Sequence, residues 1–147
     1  IGVGDAVNGE GFGQRVAHAH ARVERGIGVL EDIGDAAPVA AEFLEHATEE
    51  MLHADAIAKR IVELRGEPNF SPDGLSARSH AEYVEGTNLK EMISEDLVAE
   101  RIAIESYREM IAYLGTQDPT TRRMLEQILA SEEEHADDLS SLLQGLG

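Results

Sequence analysis

The stretch Ser131-Glu132-Glu133-Glu134-His135-Ala136-Asp137 decides how the rest of the chain is read. It contains a Glu-x-x-His spacing, Glu132 to His135. The same spacing recurs as Glu50 to His53 in Glu49-Glu50-Met51-Leu52-His53-Ala54-Asp55. Residues three apart on a helix share a face, about one turn from each other. Each pair therefore presents a carboxylate and an imidazole to one metal ion, and two such pairs facing inward can hold two ions.

The helical register supports this reading. Leu125, Ile128, Glu132, His135, Leu139 and Leu142 follow one another in steps of three and four. Glu132 and His135 thus take positions where the pattern calls for core residues. An earlier stripe runs through Phe43, Ala47, Glu50, Ala54, Ile57, Ile61 and Leu64, with His53 at its flank. Glu100 interrupts a third stripe made of Leu89, Ile93, Leu97, Ile104, Tyr107, Ile111 and Leu114. A carboxylate inside a helical core is costly unless it is paired or binds metal. Three stripes that each turn a glutamate inward share one simple explanation, which is a bound metal.

Composition bounds the other readings. A chain of 147 residues suits one domain with a sizeable core, spanning 1–147 with residues 1–11 Gly-rich and irregular. The residue content of the long segments favours helix. No apolar run is long enough for a membrane, so no membrane partner is expected. The absence of cysteine excludes disulfides and thiolate metal sites and, with no signal-peptide pattern in view, leads to the expectation of a cytoplasmic protein. A formal charge of −17 argues against a nucleic-acid partner, because phosphate binding needs clusters of Lys and Arg. The same charge attracts cations.

Four helices are predicted. The first covers about 12–33 and is weakened by Gly26 and Gly28. After a turn at 34–37, the second begins around Pro38 and runs to about Arg65, where Gly66 and Pro68 stop it. A long connection from Gly66 to about Thr87, with one short helical turn at 79–84, leads to the third helix, from Asn88 to Leu114. A tight turn at 115–119 puts Asp118 at the cap and Pro119 at the first position of a fourth helix, which ends near Leu143. Short links make neighbours antiparallel, and the long middle link lets helix three run parallel to helix two. The expected fold is all-α, a four-helix bundle with one long crossover between helices two and three.

These residues resemble the bacterioferritins and related bacterial ferritin-like di-iron proteins. The resemblance rests on Glu-Glu-Met-Leu-His-Ala-Asp at 49–55, Glu-Pro-Asn at 67–69, Leu-Val-Ala-Glu-Arg at 97–101 and Glu-Glu-Glu-His-Ala-Asp at 132–137. It covers about Pro38 to Leu143. It implies a ferroxidase that binds two irons, oxidises Fe(II) with O₂ or peroxide and stores Fe(III) in a hollow shell. Glu50, His53, Glu100, Glu132 and His135 match the family's ligands. Met51 matches the methionine that binds haem b at a two-fold subunit interface, and its place beside Glu50 on a helix points it outward. The chain departs from the family in the first helix. The family's ligand Glu there falls near Ala17, which binds no metal, while His18, His20 and Glu24 are nearby donors.

The resemblance implies a homo-oligomeric shell of about 24 chains. One alternative is a Dps-type miniferritin of about 12 chains that protects against peroxide, but such proteins place iron between subunits. Others are a ferritin-like di-iron oxidoreductase without a shell, and a purely structural acidic bundle. His46 and His80 are expected on the surface, Glu45, Glu49, Glu133, Glu134, Asp137 and Asp138 on solvated faces, and Tyr107 and Tyr113 in core or bundle-end packing.

Overall fold

The computed structural model describes residues 36–71, 73, 84 and 86–146. The first predicted helix, residues 1–11, the helical turn at 79–83 and His80 lie outside the described residues. Among the described residues are three helices: α1 (Ala36–Glu63), α2 (Leu89–Leu114) and α3 (Pro119–Gly145). They correspond to the second, third and fourth predicted helices.

Each helix end has a local cause. Asn88 caps α2 by accepting the Glu91 N–H at 3.0 Å, and the Glu91 carboxylate reaches back to the Thr87 N–H at 2.9 Å. Together these satisfy backbone donors that the helix cannot satisfy itself. Gly115 ends α2 with φ 53°, its N–H bonded to the Ile111 carbonyl. Asp118 caps α3 through the Thr121 N–H at 3.0 Å, with Pro119 in the first turn.

The end of α1 differs from the sequence reading. The helix stops at Glu63, and the left-handed residue is Arg65, with φ 66°, not Gly66. The Gly66 N–H bonds the Ile61 carbonyl at 2.8 Å and the Arg65 N–H bonds the Val62 carbonyl at 2.9 Å, the paired bonds of a Schellman motif. Gly66 is needed for space: a Cβ there would lie 2.8 Å from Ile61 Cγ2 and 3.2 Å from the Ile61 carbonyl oxygen.

Two apolar clusters set the helix directions. One joins Ile57 and Ile61 of α1, Tyr107 and Leu114 of α2, and Leu125 and Ile128 of α3. The other joins Val39 and Phe43, Leu89, Ile93 and Leu97, and Leu139. The first brings together the late parts of α1 and α2 and the early part of α3, and the second does the reverse. Hence α1 and α2 run parallel and α3 runs antiparallel to both, as the long second connection led us to expect. Tyr107 is in the core, whereas Tyr113, expected to pack, is exposed.

Arg60 ties α1 to α3. Its Nη2 donates to Asp118 at 3.1 Å and its Nε to the Thr121 hydroxyl at 2.8 Å. The Thr121 hydroxyl also donates to the Asp118 carboxylate. One carboxylate thus caps a helix and holds a half-buried guanidinium.

Two outcomes test these assignments. Asp118→Ala should lower unfolding free energy in urea by about 1–3 kcal/mol, because it removes a cap and a charged hydrogen bond together. Arg65→Gly should raise it by roughly 1 kcal/mol by relieving the left-handed residue, whereas Gly66→Ala should lower it. A destabilised Arg65→Gly protein would contradict the described helix end.

Candidate metal centre

Between the two apolar clusters lies a polar layer, with Glu50, Glu100 and Glu132 each close to the middle of its helix. All three are buried, Glu132 at 0% exposure and His135 at 2%. The four residues Glu50, Glu100, Glu132 and His135 offer ligand atoms that all lie within 4.8 Å of one another. His53 completes the layer: its Nδ1 is 3.3 Å from Glu132 Oε1 and 3.6 Å from Glu50 Oε1. Two donors bound to one ion at about 2.1 Å stand roughly 3.0–3.5 Å apart for bond angles between square and tetrahedral. The His53–Glu132 contact falls within that range, and the His53–Glu50 contact lies just outside it. The His53 and His135 rings are 6.3 Å apart, with Glu50 and Glu132 in reach of both. All five residues selected from the sequence therefore converge. The first-helix position Ala17 and the nearby donors His18, His20 and Glu24 lie outside the described residues.

His135 is oriented by a residue that the sequence reading gave no role. Its Nε2 lies 2.7 Å from Glu49 Oε2, which also accepts from the Ser131 hydroxyl at 3.0 Å. A carboxylate only accepts, so Nε2 carries a proton, and in the neutral ring the lone pair is then on Nδ1. Nδ1 is buried with no hydrogen-bond partner among the described residues. This is the state of a ligand histidine held by an outer carboxylate. The His135 hydrogen bond keeps the Glu49 carboxyl below the usual range, against the opposing effect of burial.

His46 is a second correction. Expected on the surface, it is 4% exposed, and its ring stacks on His135 with centroids 4.0 Å apart. The signal was present: His46 is three residues after Phe43 and four before Glu50, on the same stripe. Asp96, one turn before Glu100 and also buried, was likewise not singled out. Met51 is exposed at 54%, facing outward as its position beside Glu50 requires.

His53 and His46 respond to pH in opposite directions. Burial would lower His53, but hydrogen bonds and charges from Glu132 and Glu50 outweigh it and raise the group from 6.5 to about 9. Burial, helped by His135, pushes His46 down from 6.5 to about 4. In the metal-free protein the His53 contribution is fully present below pH 6.5 and is lost as pH rises through about 9. The His46 contribution is present above pH 6.5 and is lost as pH falls through about 4. The melting temperature of metal-free protein should therefore fall between pH 6.5 and 9, and His53→Gln should flatten that alkaline arm. Persistence of the arm in the variant would assign it to another group. Zn(II) loading at pH 7 should also release a proton from His53, read with a pH indicator.

Comparison with known proteins places the chain in a family. A model of the ferritin-like domain matches residues 35–146. The bacterioferritin of Mycobacterium leprae is 37% identical over 100 residues, covering 67% of this chain and 58% of that protein. The bacterioferritin of Mycobacterium avium is 34% identical over 108 residues, covering 70% of this chain and 64% of that protein. The chain thus spans about six tenths of the length of these relatives. A solved structure of a bacterioferritin-related protein from Bacteroides fragilis, described as a dodecameric thioferritin, superposes with a TM-score of 0.86. It is 31% identical, over 99% of this chain and 88% of that one. With a matching domain model over three quarters of its length and a shared fold, the chain belongs to the ferritin-like domain family.

Proposed function

We propose that the protein stores and detoxifies iron, oxidising Fe(II) at the centre formed by Glu50, His53, Glu100, Glu132 and His135. The observation that carries this reading is the layer itself: three buried carboxylates, the buried His135 and the partly buried His53 gathered within one chain, between two apolar clusters. Fe(II) is the substrate, and O₂ or peroxide takes the electrons. His53 and His135 each hold one ion, Glu50 and Glu132 reach both, and Glu100 adds a further oxygen donor. Carboxylates attract an ion more strongly when its charge rises from +2 to +3, so this donor set favours the oxidised product. Glu49 keeps the His135 lone pair turned away from itself.

The Fe(III) product is stored inside a homo-oligomeric shell. Family resemblance favours 24 chains, while the dodecameric Bacteroides fragilis neighbour favours 12, and light scattering of the assembled particle separates them. The ligands converge within a single chain, which supports the bacterioferritin-like reading over a miniferritin centre shared between subunits. The outward Met51 supports contact with a second chain, where its thioether would supply an axial ligand to haem b. The cytoplasm is the expected compartment; no described helix is long and apolar enough to cross a membrane.

Aerobic Fe(II) titration of the metal-free protein tests the centre. About two irons per chain should be oxidised in a fast phase, followed by slower uptake of many more. His135→Ala should slow the fast phase by more than about tenfold, the lower end of what losing an outer partner of a ligand costs. A variant that oxidises iron at the parent rate would remove His135 from the centre.

A further inference from the structure

His46 belongs to two clusters of donors at once. Ligand atoms of Glu42, His46 and Asp138 lie within 4.8 Å of one another, and so do those of His46, Glu100 and His135. Glu100 and His135 are in turn members of the central group with Glu50 and Glu132. Three donor sets thus overlap in series. Glu42 and Asp138 are only partly buried and line a surface pocket of about 460 Å³. The series therefore runs from a pocket at the surface to the middle of the bundle.

The state of His46 points to a ligand rather than a packing residue. Neither ring nitrogen makes a hydrogen bond among the described residues, although Nε2 stands 3.4 Å from Glu42 Oε1. Two unmet polar atoms in a buried ring are costly, and leucine would fill the same space without them. The ring lies nearly parallel to His135, at an interplanar angle of 20°, so a cation leaving one imidazole has the next within a short lateral step. The acidic surface concentrates cations near the mouth.

We propose that His46 passes divalent cations from Glu42 and Asp138 to Glu100 and His135, as the entry relay of the centre. The inference rests on the metal-centre reading above. A relay speeds filling without being a resident ligand, and this separates it from that reading.

The test is stopped-flow loading of the metal-free full chain with Co(II) under anaerobic conditions, read by visible absorbance. The parent should fill quickly to its final number of Co(II) ions per chain. His46→Leu should reach the same number at least about tenfold more slowly, the scale on which a ligand's neighbours act. His46→Gln, which keeps volume and an oxygen donor, should load at an intermediate rate, and it decides the matter if His46→Leu does not fold. Glu42→Gln combined with Asp138→Asn should also slow loading. Parent-like rates in these variants overturn the relay. A lower final count in His46→Leu overturns it too, by making His46 a resident ligand. A parent chain that binds no Co(II) would defeat the metal-centre reading itself, and the relay with it.

Discussion

Everything in this bundle is arranged around one unfavourable fact, the burial of three glutamates in a single layer. Removing a carboxylate from water costs several kcal/mol unless charge is returned to it. In the metal-free chain part of that charge comes from the proton on His53, held by Glu132 and Glu50. That proton puts positive charge beside Glu132 and Glu50. The layer is tolerable because it is sandwiched: Ile57, Tyr107, Leu125 and their neighbours close one side, and Phe43, Ile93, Leu139 and theirs close the other. The two apolar clusters supply the stability that the layer withholds.

The sandwich in turn depends on helix direction. Ile61 and Leu114 end up in the same cluster because α1 and α2 run parallel, which requires a long connection between them. The Arg60 clamp on Asp118 and Thr121 then fixes α3 against the end of α1. This sets the axial position of Glu132 relative to Glu50. A slip of one helical turn, about 5.4 Å, would separate the carboxylates beyond the reach of a shared ion. A local capping contact thereby controls the geometry of a centre several turns away.

The residues around His135 show how the candidate site is held in place. Glu49 is half exposed and lies one residue from the proposed ligand Glu50 on the same helix, yet its carboxylate determines which His135 nitrogen faces inward. His46 stacks a buried imidazole on that ring. Neither belongs to a Glu-x-x-His pair, and both act on the same histidine.

Residue type identified the caps at Asn88 and Asp118, and periodicity identified the three helices and the inward positions of Glu50, Glu100, Glu132 and His135. It could do so because a carboxylate on an apolar stripe violates the pattern, and a violation is visible in one dimension. The position of His53 at the stripe's edge was legible for the same reason. The roles of Glu49 and His46 were not. Glu49 sits among other acidic residues, and only its approach to α3 distinguishes it from a solvated glutamate. His46 shared the stripe, but the contact that buries it comes from a helix nearly ninety residues later in the chain. The sequence also put the end of α1 on Gly66, whereas the left-handed turn fell one residue earlier, because Gly66 was needed to admit the Ile61 side chain. Local pattern determined which residues turn inward. Only the packing of α3 against α1 and α2 decided which of them meet, since that depends on distances between helices that no single helix encodes.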